Sequence, residues 1–481
     1  LPVLALAVLA GCAGMGEVKP PAQPRDTNTL NTGQPIADAQ RRDAPWPVAT
    51  WCAAYGEPQL NALVGKAIAS NPQLAEARDR IAGAQAIARG AKAATLPGVQ
   101  ANASFVDSRF SGQQFFPPPY AGNFYWNNDA EFDLGYDLDL WGRNRSALAA
   151  ALDGVQVSLC EEQEARLALE GAVVRAYSSL SLQYALQGNL QAILLDQLQT
   201  LHIAQRRLSA GLGTAFDVSQ AQTLIASTQA QLEQVDARMQ ILRHQLAALA
   251  GGGPGDGDAI TAPDLHFDQA AILPGNVPAE LVGRRPDVVA QRWRVQRAAH
   301  GVDVARASFY PDINLTAFVG VLSLNFNKLF TSSAENLGAG PAISLPIFDG
   351  GRLRAGLQAH TAEYNAAVDA YDATIVSALE EVANNISNLQ SLAREERKRS
   401  DALESAQRAR ALTLRAFRAG LTDYLNVLTA ESALNAQRGL IAEIHFQQML
   451  AATSLNQALG GGLTVGGHTI GPAIAAQDSH P

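Results

Sequence analysis

The chain has 481 residues and a formal net charge of −9, from 36 Lys+Arg against 45 Asp+Glu. A mildly acidic chain lacks the concentrated positive surface that phosphate binding needs, which argues against a nucleic-acid partner. Hydrophobic residues make up 47% of it, yet only 6% are aromatic and 87 residues are Ala, a composition that suits helices packed closely along their length.

Leu1 to Gly11 form an apolar run too short to span a bilayer and end in small residues, which reads as the remnant of a signal peptide at 1–11. Leu9-Ala10-Gly11-Cys12 resembles the bacterial lipobox, which implies a covalent lipid on Cys12. Acyl chains at about 0.8 kcal/mol per buried CH₂ would hold the mature N-terminus at a membrane, and Ala13 favours outer-membrane sorting by the usual pattern. From Lys19 to Pro47 no periodicity is present, and the stretch reads as an extended tether. Beyond the N-terminus no run reaches the roughly 18–20 apolar residues of a membrane-spanning helix, so any crossing falls to strands.

From here the chain repeats itself. Asn71-Pro72 opens a helical pattern of about 22 residues that stops at Pro97, and Arg285-Pro286 opens another that stops at Pro311; both pairs of prolines lie 214 residues apart. Trp141-Gly142-Arg143 matches Gly350-Gly351-Arg352, and Ala210-Gly211-Leu212 matches Ala419-Gly420-Leu421, both at a spacing of 209. After each first helix come two alternating segments, at 97–110 and 124–140 in the first copy and at 311–324 and 338–348 in the second. Each pair is followed by a long helical hairpin. From Gly351 to Phe417 no proline interrupts the pattern; a continuous helix there would be about 100 Å long and would need parallel neighbours along its length.

The second strand of the first copy alternates Ala130, Phe132, Leu134, Tyr136, Leu138 and Leu140 with Asp129, Glu131, Asp133, Asp137 and Asp139. Four strands of about ten residues with one apolar face can cross a bilayer. A soluble sheet with one wet face is the alternative, but the remaining elements are too long to cap it. Four strands cannot close a barrel, for which about eight are needed, and open edges in lipid leave backbone groups unpaired. Several protomers must share the barrel; three is the geometric expectation, with four left open.

Tyr136-Asp-Leu-Asp-Leu-Trp-Gly-Arg143, Arg284-Arg-Pro-Asp-Val288, Val304-Ala-Arg-Ala-Ser-Phe-Tyr-Pro311 and Gly340-Pro-Ala-Ile-Ser-Leu-Pro-Ile-Phe-Asp-Gly-Gly-Arg352 resemble the outer-membrane efflux (TolC-like) family. Within it they are most similar to the NodT-type lipoprotein branch that partners resistance-nodulation-division pumps. The likeness covers about 45 to 460. It implies a mostly α, mixed fold and a homotrimer: a 12-stranded transmembrane β-barrel, four strands per protomer, on a long periplasmic α-helical coiled-coil barrel. It also divides the chain into a lipidated tether and equatorial segment at 12–60, a first repeat at 61–250, an inter-repeat equatorial linker at 251–283, a second repeat at 284–461 and a tail at 462–481. The implied activity is that of a passive conduit for small molecules such as drugs and toxic compounds. It would be lipid-anchored in the outer membrane with a periplasmic extension, and coupled to a periplasmic adaptor and an inner-membrane pump. Protein secretion of type I and a lipid-anchored periplasmic scaffold are the alternatives.

The same resemblance assigns the hairpin ends. Gly211, Leu212, Gly213, Gly420, Leu421 and Thr422 would form the adaptor-docking tips, and Leu425, Asn426, Thr429, Asp217 and Asp423 the periplasmic gate. Relatives often carry Asp in the run that here reads Val427-Leu428-Thr429-Ala430, which implies a hydrogen-bonded or apolar gate. Asp217 and Asp423 equally suit helix caps. Asp129, Glu131, Asp133, Asp137 and Asp139 would line the lumen, either as a cation-favouring field or simply to keep it wet. Enzyme chemistry finds no motif. The eight histidines are scattered without ligand spacing, and Gly251-Gly-Gly-Pro-Gly-Asp-Gly-Asp258 lacks the Gly-Lys-Ser/Thr of a phosphate loop. No cofactor is expected besides the lipid on Cys12.

Overall fold

The structure, a computed structural model, describes residues 21–31, 33–40, 46–113, 117–265 and 283–462. The lipidation expected at Cys12 lies outside the described residues, as does nearly all of the expected tail. In chain order the elements are α1 (Gly33–Gln40), α2 (Pro58–Ser70), α3 (Pro72–Ala93), β1 (Gly98–Arg109), β2 (Phe124–Asp137), α4 (Arg143–Ser209), α5 (Ala215–Leu249), α6 (Pro286–Ala307), β3 (Asp312–Ser323), β4 (Glu335–Ser344), α7 (Arg352–Arg418) and α8 (Tyr424–Ala458). The fold is mostly helical with one small sheet. Helices α4 and α7 have 67 residues each, about 100 Å at 1.5 Å per residue.

The repeat is visible element by element. Helix α6 and strand β3 begin 214 residues after α3 and β1, while α7 and α8 begin 209 after α4 and α5. Helix starts are chemically marked. Pro58 and Pro72 supply a first turn that needs no donor, and Glu57 and Asn71 accept the N–H groups of Gln59 at 3.1 Å and Gln73 at 2.9 Å.

The chain forms two compact units. One comprises Arg80–Ser158 and Ala290–Tyr371 with the described residues before Arg25. It holds the entire sheet, an antiparallel meander in the order β1-β2-β3-β4. Strands β2 and β3, though remote in sequence, pair from Asn128↔Ser323 to Asp137↔Asn314. Below the strands Val302, Ala305, Phe309, Leu353 and Leu357 form a small core of their own.

The other unit comprises Arg25–Asp79, Leu159–Val289 and Asp372–Pro481. Its core packs Trp51, Tyr55, Leu60, Val173, Tyr177, Leu180, Leu246 and Met449. Glu170, buried among them, accepts Trp51 Nε1 and Arg166 Nε, each at 3.0 Å, which satisfies a charge that would otherwise be costly. Arg285 is another buried ionisable group of this unit. Its guanidinium reaches Asp287 and Glu381, both at 2.7 Å, and the carbonyl of Ala458 at 3.2 Å, so it ties α6, α7 and the end of α8 together. Cys52 and Cys160 are both buried.

Three expectations need correction. The tether is not extended throughout, since Gly33–Gln40 is helical. Strand β2 stops at Asp137 and not at 140, because Asp139 turns to φ 44 and gives its carboxylate to the next helix. Strand β4 runs over 335–344 and not 338–348. It starts where Glu335 pairs with Val321, and ends before Pro346, which has no N–H to give a ladder.

Candidate functional site

The sheet has two chemically opposite faces. Residues directly paired share a face, so Ala101, Phe132, Val319 and Leu337 form one row across all four strands. Three of them are wide open: Phe132 is 59% exposed, Val319 58% and Leu337 70%. The same face carries Val99, Leu134 and Ile343, all exposed. On the other face Glu131 stands beside Asn102, and Asp133 beside Gln100, while Asn102 Nδ2 donates to Asp133 Oδ2 at 2.6 Å. That face is not uniformly polar, because the register also puts Phe318 and Leu322 on it. A sheet that exposes its apolar face and half-buries its carboxylates is built inside out for water.

The five acidic side chains do not form one stripe. Asp129, Glu131 and Asp133 lie within β2, whereas Asp137 and Asp139 are spent at the strand-to-helix junction. Asp137 Oδ2 takes Arg143 Nη2 at 2.9 Å and Asn144 Nδ2 at 2.8 Å; Arg143 also reaches Asp312 at 3.3 Å. Asp139 accepts the backbone N–H groups of Asn144 and Arg145, both at 2.9 Å, and thereby caps α4. Asp349 does the same for α7, accepting from Leu353 at 2.7 Å and Gly351 at 3.0 Å, and these N–H groups hold its carboxyl below the usual range. Beside this junction Trp141 donates Nε1 to the Pro311 carbonyl at 2.8 Å and stacks on Tyr310 with 4.6 Å between centroids.

The hairpin tips are built alike. Gly211 at φ 73 and Gly420 at φ 75 take the left-handed conformation that ends α4 and α7, and in each case the next residue's N–H closes a six-residue turn: Leu212 to Arg207 O at 2.8 Å, Leu421 to Ala416 O at 2.9 Å. Thr214 and Asp217 then form a reciprocal capping box at the start of α5, with Thr214 N to Asp217 Oδ2 at 2.9 Å and Asp217 N to Thr214 Oγ1 at 3.2 Å. Asp423 is the N-cap of α8 but makes no side-chain cap bond. Leu212 and Leu421 stand in solvent, and a side chain at Gly213 would meet Arg207 and the Leu208 backbone.

The first turns of α8 sort the remaining residues by face. Tyr424 and Val427 are buried with Phe417 and Ala221, while Leu425, Asn426 and Thr429 point the other way and are exposed. Asn426 Nδ2 donates to Thr422 Oγ1 at 2.8 Å, and Thr429 Oγ1 donates back to Leu425 O at 2.9 Å. Leu425 is thus the one large side chain on that face without polar function, 62% exposed. Burial, with Glu431 and Asp217 nearby, pushes the Tyr424 hydroxyl far above its ordinary pKa.

Two contacts near the tips escape any motif. Arg207 of α4 lays its guanidinium over the Phe417 ring, 4.9 Å from the centroid, and Phe417 meets Tyr424 at 5.6 Å. Higher up, Arg410 Nη2 lies 2.6 Å from Asp196 Oδ2 and 3.7 Å from Glu431 Oε1. The internal repeat marks Arg410 as a departure, because Leu201 holds the matching position in the first copy, but it names no partner for the guanidinium. Among the described residues no helix is long and apolar enough to cross a membrane, and no cluster of three metal-ligating side chains occurs.

Residues 63–252 and 277–461 match the family described as outer membrane efflux protein. The chain belongs to that family. Its relatives agree: the fusaric acid resistance protein FusA of Burkholderia cepacia is 44% identical over 366 residues, covering 75% of this chain and 69% of FusA. The multidrug resistance outer membrane protein MdtQ of Escherichia coli O157:H7 is 30% identical over 466 residues, covering 95% and 96%. Among solved structures, the outer membrane protein VceC of Vibrio cholerae superposes with a TM-score of 0.82 at 33% identity, covering 87% of this chain and 100% of that one. Outer membrane efflux proteins are channels rather than enzymes. An outer-membrane location and a role in efflux are therefore this chain's own, and the exposed apolar row on its sheet is the physical counterpart of that location.

Proposed function

We propose that three copies of this outer membrane efflux protein close a 12-stranded barrel, each giving its four strands, and that the barrel and the helical hairpins conduct small toxic organic molecules to the exterior. The observation that carries this reading is the apolar row Ala101, Phe132, Val319, Leu337, continuous over the whole sheet and open to its surroundings. Among the described residues strands β1 and β4 each have one neighbour. In lipid their free edges would cost several kcal/mol per unpaired group, and pairing β4 of one copy with β1 of the next removes that cost. The lipid on Cys12 adds a second membrane attachment. A periplasmic adaptor would dock at Gly211, Leu212, Gly213, Gly420, Leu421 and Thr422 and link the channel to an inner-membrane pump. Leu425, with Asn426 and Thr429 beside it, forms the constriction; Asp217 and Asp423 serve chiefly as helix-start residues. Fusaric acid, named in the resistance of one relative, exemplifies the cargo. The test is ion conductance of the purified protein in planar bilayers together with heat-sensitive trimer migration in detergent. A monomer that conducts nothing overturns the reading.

A further inference from the structure

We propose that a cleft at the foot of the sheet holds one small aromatic carboxylate per protomer, with the acid on Arg352 and the ring against the Trp141 and Tyr310 stack. The inference rests on the channel reading above and names a substrate class for it. The cleft, about 340 Å³, lies near the lower end of small-molecule cavities, roughly 300–1,000 Å³, which suits a single ring. Part of its lining belongs to the polar face of the sheet, which that reading turns to the lumen. Asp137 pairs with Asn314, and Asp312, two residues away on the same face, pairs with Ser344. Trp141 and Tyr310 form another wall. Their rings stack 18° from parallel, 4.6 Å between centroids, yet remain 49% and 39% exposed. Since the indole N–H is given to the Pro311 carbonyl, this wall offers ring surface and no indole donor.

Charge decides what the bound ring must carry. The acids beside the cleft are already committed. Asp137 accepts from Arg143, Asn144 and the N–H of Asp139, Asp139 caps α4 and pairs with Arg145, and Asp312 shares Arg143. Asp349, three residues before Arg352, gives its oxygens to the start of α7. Arg352 lines the cleft, is exposed, and makes no ion pair among the described residues. The internal repeat explains why it is left over. Arg352 matches Arg143 at the spacing of 209, but the two acids of Arg143 have no counterpart: Asp137 matches Pro346, and Asp312 matches Gly98 at the spacing of 214. On the trimeric reading Gly98 comes from the next copy, so that seam brings Arg352 no acid at this position either. A planar guanidinium takes a carboxylate through two parallel N–H donors. A neutral ring would leave that fork unused, and a cationic one would be repelled by it.

The test uses the purified full-length protein and benzoate as the probe, with benzamide as its neutral isostere. Saturation-transfer NMR should detect benzoate on the parent and find benzamide at least about tenfold weaker, because the amide lacks the charge-assisted pair. Arg352→Gln, checked for trimer formation, should weaken benzoate by a similar factor, and Arg352→Lys should restore part of the difference. In cells Arg352→Gln should lower resistance to fusaric acid more than resistance to an uncharged drug. Equal binding of acid and amide by the parent, no detectable benzoate, or benzoate binding that survives in a trimeric Arg352→Gln overturns the inference. So does displacement of benzoate by lysophosphatidylglycerol together with unchanged fusaric acid resistance in Arg352→Gln, which would assign the arginine to a lipid headgroup. If Arg352→Gln gives no trimer, the comparison of acid with amide on the parent decides. A parent that conducts no ions in planar bilayers instead refutes the channel reading beneath.

Discussion

Glu431 is a carboxylic acid placed where its charge is disfavoured. Burial raises its pKa first and Asp196 on α4 adds to this, while Arg410 on α7 opposes them; Tyr424 on its own helix is pushed up in turn, with Asp217 of α5 behind it. The sign follows from linkage. With the folded value above the unfolded one, the stabilisation is present at low pH and is lost as the pH rises through the raised value. Glu431→Gln mimics the protonated form. Its thermal unfolding should vary less with pH than the parent's as the pH rises above the ordinary carboxylate range, and parallel pH profiles for the two would refute the assignment. Cys52 is perturbed more strongly: burial, then Glu170, raises its thiol to about 12. At pH 8 the folded protein should leave Cys52 unalkylated by iodoacetamide, and alkylation should appear only on unfolding, which mass spectrometry of the peptide around Trp51 reads directly.

At the scale of elements, strand β2 carries two environments one residue apart. Phe132→Arg would put a cation among Ala101, Val319 and the other residues of the exposed apolar face. If that position lies near mid-bilayer the cost is about 2–4 kcal/mol. Asp133→Asn keeps its neighbour Asn102 in reach and should fold as well as the parent while lowering cation preference. Equal loss of folded trimer in both would mean that the faces are assigned the wrong way round. Asp137→Asn belongs to a different class from Asp133→Asn, since it breaks the ion pair with Arg143 that closes the junction. The tolerance that a uniform lumenal stripe would suggest for Asp137 therefore does not carry over, and outer-membrane trimer yield should fall for Asp137→Asn well below that of Asp133→Asn.

On the channel reading proposed above, the decisive quantity for the whole molecule is the balance between closed and open tips, which a partner can shift only through better binding to the open form. Leu425 dominates the exposed face of the first turn of α8, and Thr429 already spends its proton within the helix. The truncation Leu425→Ala should therefore widen the constriction more than Asn426→Ala and Thr429→Ala together. Vancomycin sensitivity of cells carrying each variant ranks them, and a ranking in the opposite order would move the gate to the polar residues.

Several features of this protein are legible in the residues alone because they are local. Period-two alternation, prolines at helix starts and glycines past helix ends act within a few residues, so the strands, the long helices and the two spacings of 214 and 209 stand out in the sequence. The tips are equally local: Gly211 and Gly420 close turns with residues no more than five positions away. The carboxylates are another matter. Nothing in the alternation of β2 distinguishes Asp133 from Asp137, because the difference lies in Arg143 and Asp312, brought there by a turn and by a strand from the second copy. Helical positions far along α4 and α7 are harder still. A small departure from the ideal helical period accumulates over many turns, and whether Arg410 faces Asp196 or water depends on that accumulated phase in two helices at once. Only the packed hairpins decide it, since burial selects the one rotation in which Phe417, Tyr424 and Val427 close a core and Arg410 meets its acids.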